Sequence, residues 1–333
     1  MKRSLIFLIA AIGMLAACEK PVYFDIEDTE PKVVVNSVIS ADSSMVARVT
    51  LSRFFLDNTN FKVVNDAVLR LTVNGVAASP ASYNKGFYTI SVSPQAGDTL
   101  HLEVSVPGRG MVSAGTRVPY MPNVPQMKVL NKSMTEYGES SIKFLLALND
   151  RAQEHVGYQV RAMVYDTVDF DTTYSERWDW DLDRVVGYDT ILPHQEIVVY
   201  SLSMECDDPI LASGFDLGDI FDFKANSCKS EYVDRYLFLD DAFSGSSHDF
   251  IINGSYYDYY SNDYMDDQIT HHRWLEIEVQ ALNYDLYMYT KTRMQQRNSD
   301  DLFSEPVQIY CNIKDGIGIF GAMNKTVKKI PID

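Results

Sequence analysis

Leu275-Glu276-Ile277-Glu278-Val279-Gln280-Ala281 alternates apolar and polar residues without a break. A strand puts every second side chain on one face, so this stretch lies on a core with its polar side turned away. The period then changes. Asn283 can cap a helix through its side chain, and Tyr284, Tyr287 and Met288 follow at helical spacing. The spacing predicts one α-helix over residues 284–297, closed by Asn298-Ser299-Asp300-Asp301. Val307–Ile313 reads as a return to strand, with Cys311 a buried small hydrophobe inside it. Gly316, Gly318 and Gly321 mark a tight final turn region.

Working outward, Ile142, Phe144, Leu146 and Leu148 alternate in the same way, as do Tyr158, Val160, Ala162 and Val164. The first half is patterned throughout. Short alternating runs fall at residues 32–39, 45–51, 69–73, 88–92, 100–106 and 112–118, and Asn74-Gly75 supplies a turn. Several short strands at such intervals specify two antiparallel sheets packed face to face. Pro119, Pro122 and Pro125 then disfavour helix and central strand, which gives a stiff extended linker. The expected fold is mainly β. An N-terminal immunoglobulin- or fibronectin-like β-sandwich over residues 32–119 precedes a larger β-rich domain over 126–333, which carries the one late helix. Residues 166–270 read as a long irregular middle, functional unless it hides short strands.

The start of the chain has a different character. Lys2 and Arg3 precede an apolar run from Leu5 to Leu15, and Leu15-Ala16-Ala17-Cys18 follows. This is the pattern of a lipoprotein signal peptide over residues 1–17, with Cys18 the acyl acceptor. The run is too short to span a bilayer. Residues 18–31 then form a polar tether, and the acyl chains on Cys18 are the expected membrane anchor.

The formal net charge is −17; without Lys2 and Arg3 it falls by two, to near −19. Such a surface offers phosphates no basic footprint, so nucleic acid is excluded as a partner. Of four cysteines, Cys206 and Cys228 lie in one irregular stretch and form the natural disulfide pair in an oxidising location. No Cys/His spacing indicates a metal site, and no cofactor is expected. Gly-x-Ser-x-Gly and Walker-type loops are absent, and no histidine stands in a recognisable nucleophile pattern, so the chain reads as non-enzymatic.

Two stretches stand out as contact surfaces. In Trp178-Asp179-Trp180-Asp181-Leu182-Asp183 a strand would put the aromatics on one face and the carboxylates on the other. An amphipathic strand, a cation site and an interaction surface all fit that pattern. The second stretch is Tyr256-Tyr257-Asp258-Tyr259-Tyr260, continued by Asp263, Tyr264, Asp266 and Asp267. Tyrosines bury large area while keeping a polar tip, which suits a ligand or partner surface as well as a solvated loop. His271-His272 reads as a structural or surface pair.

Several segments together resemble one family, the Bacteroidota outer-membrane lipoproteins grouped as domain of unknown function 4249. The resemblance rests on the box ending at Cys18, Lys32-Val33-Val34-Val35-Asn36, and Asn65-Asp66-Ala67-Val68-Leu69-Arg70-Leu71. It extends through Gly86-Phe87-Tyr88, Gly97-Asp98-Thr99-Leu100 and Thr116-Arg117-Val118-Pro119. Near the end it takes in the Tyr-rich segment 284–296, Glu305-Pro306-Val307, Asn312-Ile313 and Gly316-Ile317-Gly318-Ile319-Phe320-Gly321-Ala322. Glu19 after the cysteine resembles, in part, a surface-export signal of such lipoproteins. The resemblance supplies no catalytic residue. It implies a lipid-anchored protein of the outer membrane, at the cell surface, that accompanies a TonB-dependent transporter and binds a ligand or caps the transporter during nutrient uptake. The alternative is a structural or adhesive surface protein with no small ligand.

Overall fold

The first eight strands are β1 (Val33–Ser40), β2 (Met45–Leu51), β3 (Val68–Val73), β4 (Val76–Ala77), β5 (Ser82–Asn84), β6 (Phe87–Ile90), β7 (Thr99–Val106) and β8 (Gly110–Arg117). They come from a computed structural model that describes residues 30–54, 57, 59–134, 139–213, 234–258, 269–298 and 307–332. The readings at residues 1–17 and Cys18, and those at Cys228, Tyr259 and Tyr260, lie outside the described residues. Residues 32–52 and 60–333 form one unit. The segment Arg53–Thr59 groups with residues 1–31. Within it, Asp57 accepts the Thr59 backbone N–H at 2.9 Å, which holds its carboxyl below the usual range.

Alternation along β1, β2, β3, β6, β7 and β8 puts Val35, Val49, Leu71, Ile90, Leu102 and Val112 into one core. One layer has the order β4-β3-β7-β8; strands β1, β2, β6 and β5 supply the facing layer. Asn74 and Gly75 both take positive φ (50° and 81°), the geometry of a two-residue hairpin turn between β3 and β4.

The second half continues with β9 (Asn123–Met134), β10 (Glu139–Asn149), β11 (Val156–Phe170), β12 (Thr173–Asp179), β13 (Arg184–Ile191), β14 (His194–Ser201) and β15 (Ser203–Glu205). A short helix α1 (Pro209–Ser213), β16 (Tyr236–Leu239), a 3₁₀ turn (Asp240–Ala242), β17 (Ser247–Tyr257), β18 (Ile269–Asn283), helix α2 (Tyr284–Asn298) and β19 (Ile317–Pro331) complete it. The order β15-β17-β10-β9 packs on the long strands β11 and β18 through Phe144, Leu146, Val160, Val164, Phe250 and Ile277, all fully buried.

Three readings change here. In the Pro-rich segment, expected as a linker up to Pro125, strand pairing already begins at Asn123. Pro125 is tolerated because β9 is a sheet edge and its register with β10 shifts between Ala147 and Asn149. Among its described residues the irregular middle is largely strand, namely the end of β11, then β12 to β17 and the start of β18. Exposed apolar side chains such as Trp180, Tyr188 and Ile197 stand among the polar ones there, so no clean alternation marks the strands. Val307–Ile313 is not a strand, and Cys311 is exposed. Side chains take over the backbone bonding there: Thr292 Oγ1 accepts the Tyr310 N–H, and the Asn312 amide bonds both N–H and C=O of Phe320.

Asn283 does cap α2. Its Oδ1 accepts the Leu286 N–H at 3.3 Å and also the Ala322 N–H at 3.0 Å, tying helix to closing strand. The glycines expected in a turn are in, or at the entry to, that closing strand. β19 pairs in parallel with β1 over Ile317–Met323 and antiparallel with β18 over Met323–Pro331. One strand thus joins both halves in a nine-stranded sheet of order β14-β11-β18-β19-β1-β2-β6-β5, with β16 added on β11. Phe320 and Ala322 fill the N-terminal core. Gly318 needs its lack of a side chain: φ is +117°, and a Cβ there would overlap the Val35 carbonyl oxygen.

Two phenols are unusually placed. Burial first, then a hydrogen bond to Asp150 (2.7 Å), pushes the Tyr158 hydroxyl far above the ordinary tyrosine range. Burial and Asp285 do the same to Tyr310. A phenol raised by folding adds stability that is fully present below about pH 10 and is lost as pH climbs through the folded value. Absorbance titration should therefore leave part of the 21 tyrosines un-ionised at about pH 11. The remainder should ionise together with loss of the circular dichroism signal. Complete ionisation at the ordinary midpoint with an intact spectrum would contradict this placement.

Candidate functional site

Beyond Phe170 the chain leaves the nine-stranded sheet. Among the described residues β12 and β13 pair only with each other, and they form a two-stranded arm continuing the β11–β14 pairing. Isolated hairpins of this kind bury little. Tyr174, Trp178, Trp180, Leu182, Val186 and Tyr188 are all exposed, Trp180 at 86%. The arm is acidic as well, with Asp171, Glu176, Asp179, Asp181, Asp183 and Asp189 against Arg177 and Arg184.

The Trp178–Asp183 stretch is therefore not a continuous two-faced strand. Asp179 Oδ1 accepts the N–H groups of Asp181 (3.0 Å) and Leu182 (3.1 Å), and Asp183 takes φ +48°. This side-chain bonding bends the chain, as Asx turns do. The two tryptophans meet at the tip with ring centroids 6.2 Å apart. Below them Arg177 lies over Gly187, where a Cβ would come 2.8 Å from Nη2, and its Nη1 is 3.7 Å from Asp189.

The tyrosine stretch divides. Tyr256 is buried, 5.0 Å from the Tyr200 ring, and burial pushes its phenol up. It belongs to the core, because β17 turns its even-numbered side chains inward. Tyr257 faces the opposite way and is exposed. Asp258, read above as part of an acidic surface loop, is 1% exposed.

Asp258 belongs to a charge cluster that the sequence reading missed. Asp166 on β11 and Arg273 on β18 are register partners. Arg273 Nε lies 2.8 Å from Asp166 Oδ2, and Nη2 lies 2.7 Å from Asp258 Oδ2. His271 Nδ1 is 2.7 Å from Asp166 Oδ2. Burial works against the Arg273 charge, but Asp166 and Asp258 outweigh it and hold the guanidinium above its ordinary range. Asp166 is fully buried, and its Oδ1 has no hydrogen-bond partner among the described residues. His272 is separate from this group; it is exposed, 3.4 Å from Asp169. A cavity of about 460 Å³ opens beside the cluster, lined by Lys132, Ser133, Ser140, Tyr256, His271 and Arg273 among others.

Cys206 is buried, with Sγ 3.2 Å from the Ile251 carbonyl oxygen. Its expected partner lies outside the described residues. No helix among the described residues is long and apolar enough to cross a membrane.

These features define a mainly β protein of several stacked sheets, with an exposed aromatic arm and an inward-facing charge cluster. The chain belongs to the family described as Domain of unknown function (DUF4249), whose model matches residues 19–329. No curated protein matches it. Among solved structures, a mutant Salmonella alpha-2-macroglobulin is similar at 7% identity and a TM-score of 0.20, a level that carries no argument. That match covers 93% of this chain, which spans 15% of the macroglobulin chain.

Proposed function

We propose that this chain is a non-enzymatic lipoprotein of the outer membrane, anchored through Cys18 and facing outward from the cell. In this reading it serves a TonB-dependent nutrient transporter as a ligand-binding or capping subunit. The β12–β13 arm is the part that touches the transporter. The observation that carries the reading is the arm itself. Tryptophan and tyrosine side chains left in water on a two-stranded hairpin are the composition of an interface centre rather than of a free surface. Residues 1–18 support the anchor, and the acidic balance of the arm favours a basic rim on the partner.

A photo-crosslinking side chain at position 180, in living cells, tests this. Position 76 serves as control, since Val76 is 72% exposed on the N-terminal sandwich. The expected result is an adduct of transporter size from position 180 alone. Absence of that adduct, or equal adducts from both positions, counts against the arm as the contact.

A further inference from the structure

A third group of polar side chains lies away from the arm and the charge cluster. His155 precedes β11, and Asp240 and Asp241 open the 3₁₀ turn after β16. His155 Nδ1 is 2.9 Å from Asp240 Oδ1 and 3.5 Å from Asp241 Oδ1. One donor atom from each of the three lies within 4.8 Å of the others. A tetrahedral ion with bonds of about 2.0 Å holds its ligand atoms about 3.3 Å apart, between the two measured separations.

The donors are supported from behind. Asp240 is 1% exposed, and its Oδ2 accepts the Val156 N–H at 3.2 Å. The His155 ring stacks on Tyr284 at the start of α2, centroids 5.2 Å apart and planes 28° from parallel. Such partners orient ligands in metal sites. Asp241 stands open to solvent, its side chain 69% exposed, which leaves room for a water as fourth ligand.

We propose that His155, Asp240 and Asp241 bind a borderline divalent cation of the Zn²⁺ type. One imidazole nitrogen with two carboxylates suits that class better than the all-oxygen shells of Ca²⁺ or Mg²⁺. The ion would clamp the start of β11, the 3₁₀ turn and the entry to α2. This inference does not depend on the transporter reading.

Calorimetric titration of the metal-stripped full chain in detergent with Zn²⁺ should give one equivalent bound and a raised melting temperature. Co²⁺ in its place should give the visible absorption of a low-coordinate site. Asp241→Asn alters only an exposed carboxylate, so the variant folds, and it should bind Zn²⁺ at least about tenfold more weakly. His155→Gln should do the same. No binding by the unmodified chain would overturn the site. Unchanged binding in both variants would place the ion elsewhere and overturn it equally. Tighter binding of Ca²⁺ than Zn²⁺ at these residues would overturn the cation class.

Discussion

Arg273→Met is expected to destabilise the protein by about 3–5 kcal/mol, because it removes the guanidinium that pairs with two buried carboxylates. Asp166 is fully buried and Asp258 nearly so, and Arg273 is the cation between them at 2.8 and 2.7 Å. Methionine keeps much of the apolar stem and removes the charge. The cost then comes from the carboxylates left behind rather than from lost packing. The same reasoning fixes the control. Combining Arg273→Met with Asp166→Asn and Asp258→Asn removes every formal charge from the set except any on His271, and should recover much of the loss. Urea denaturation of the three proteins reads both effects. A cost below about 1 kcal/mol for the single change would mean that the cluster behaves as a surface ion pair.

Gly318→Val should cost about 3 kcal/mol or more. Two penalties combine. A φ of +117° lies where L side chains are strained, typically by about 1–3 kcal/mol. The added Cβ also meets the Val35 carbonyl oxygen, a backbone atom that no rotamer change can move. Relief would require β19 to part from β1, which also withdraws Phe320 and Ala322 from the N-terminal core. Gly75→Ala is the comparison: φ there is +81°, but nothing lies within 4 Å. It should cost only the backbone penalty of about 1–2 kcal/mol. Equal denaturation midpoints for the two variants would argue against the close β1–β19 contact.

The strands and the late helix were legible because their cause is local. Alternation at Leu100–Val106 and Leu275–Ala281, the Asn74-Gly75 turn and the Asn283 cap each depend on neighbours in sequence. What was not legible depends on distant partners. The parallel pairing of β19 with β1 joins the two ends of the described chain, so Gly318 reads as turn when close approach to the Val35 backbone is its use, and Gly321 when it makes room for the Leu286 side chain of α2. The charge cluster did leave a trace. Asp166 occupies a core parity after Tyr158, Val160, Ala162 and Val164, and Arg273 does so before Leu275, Ile277 and Val279. Two opposite charges breaking two apolar faces is a pairing signal that periodicity alone passes over. The arm was half legible. The composition of residues 178–183 marked a contact surface, but alternation suggested a strand where Asp179 makes a turn.

The measurement that bears most directly on the proposed role is co-purification. The full chain, and a variant carrying Trp178→Ala, Trp180→Ala and Leu182→Ala, would be extracted from their own membrane in mild detergent and their companions identified by mass spectrometry. Exposed tip residues contribute little to folding, so the variant should keep its stability within about 0.5 kcal/mol. The account predicts a stoichiometric β-barrel transporter with the unmodified chain and its loss from the variant. A chain that emerges alone, or a transporter retained equally by the variant, would contradict it.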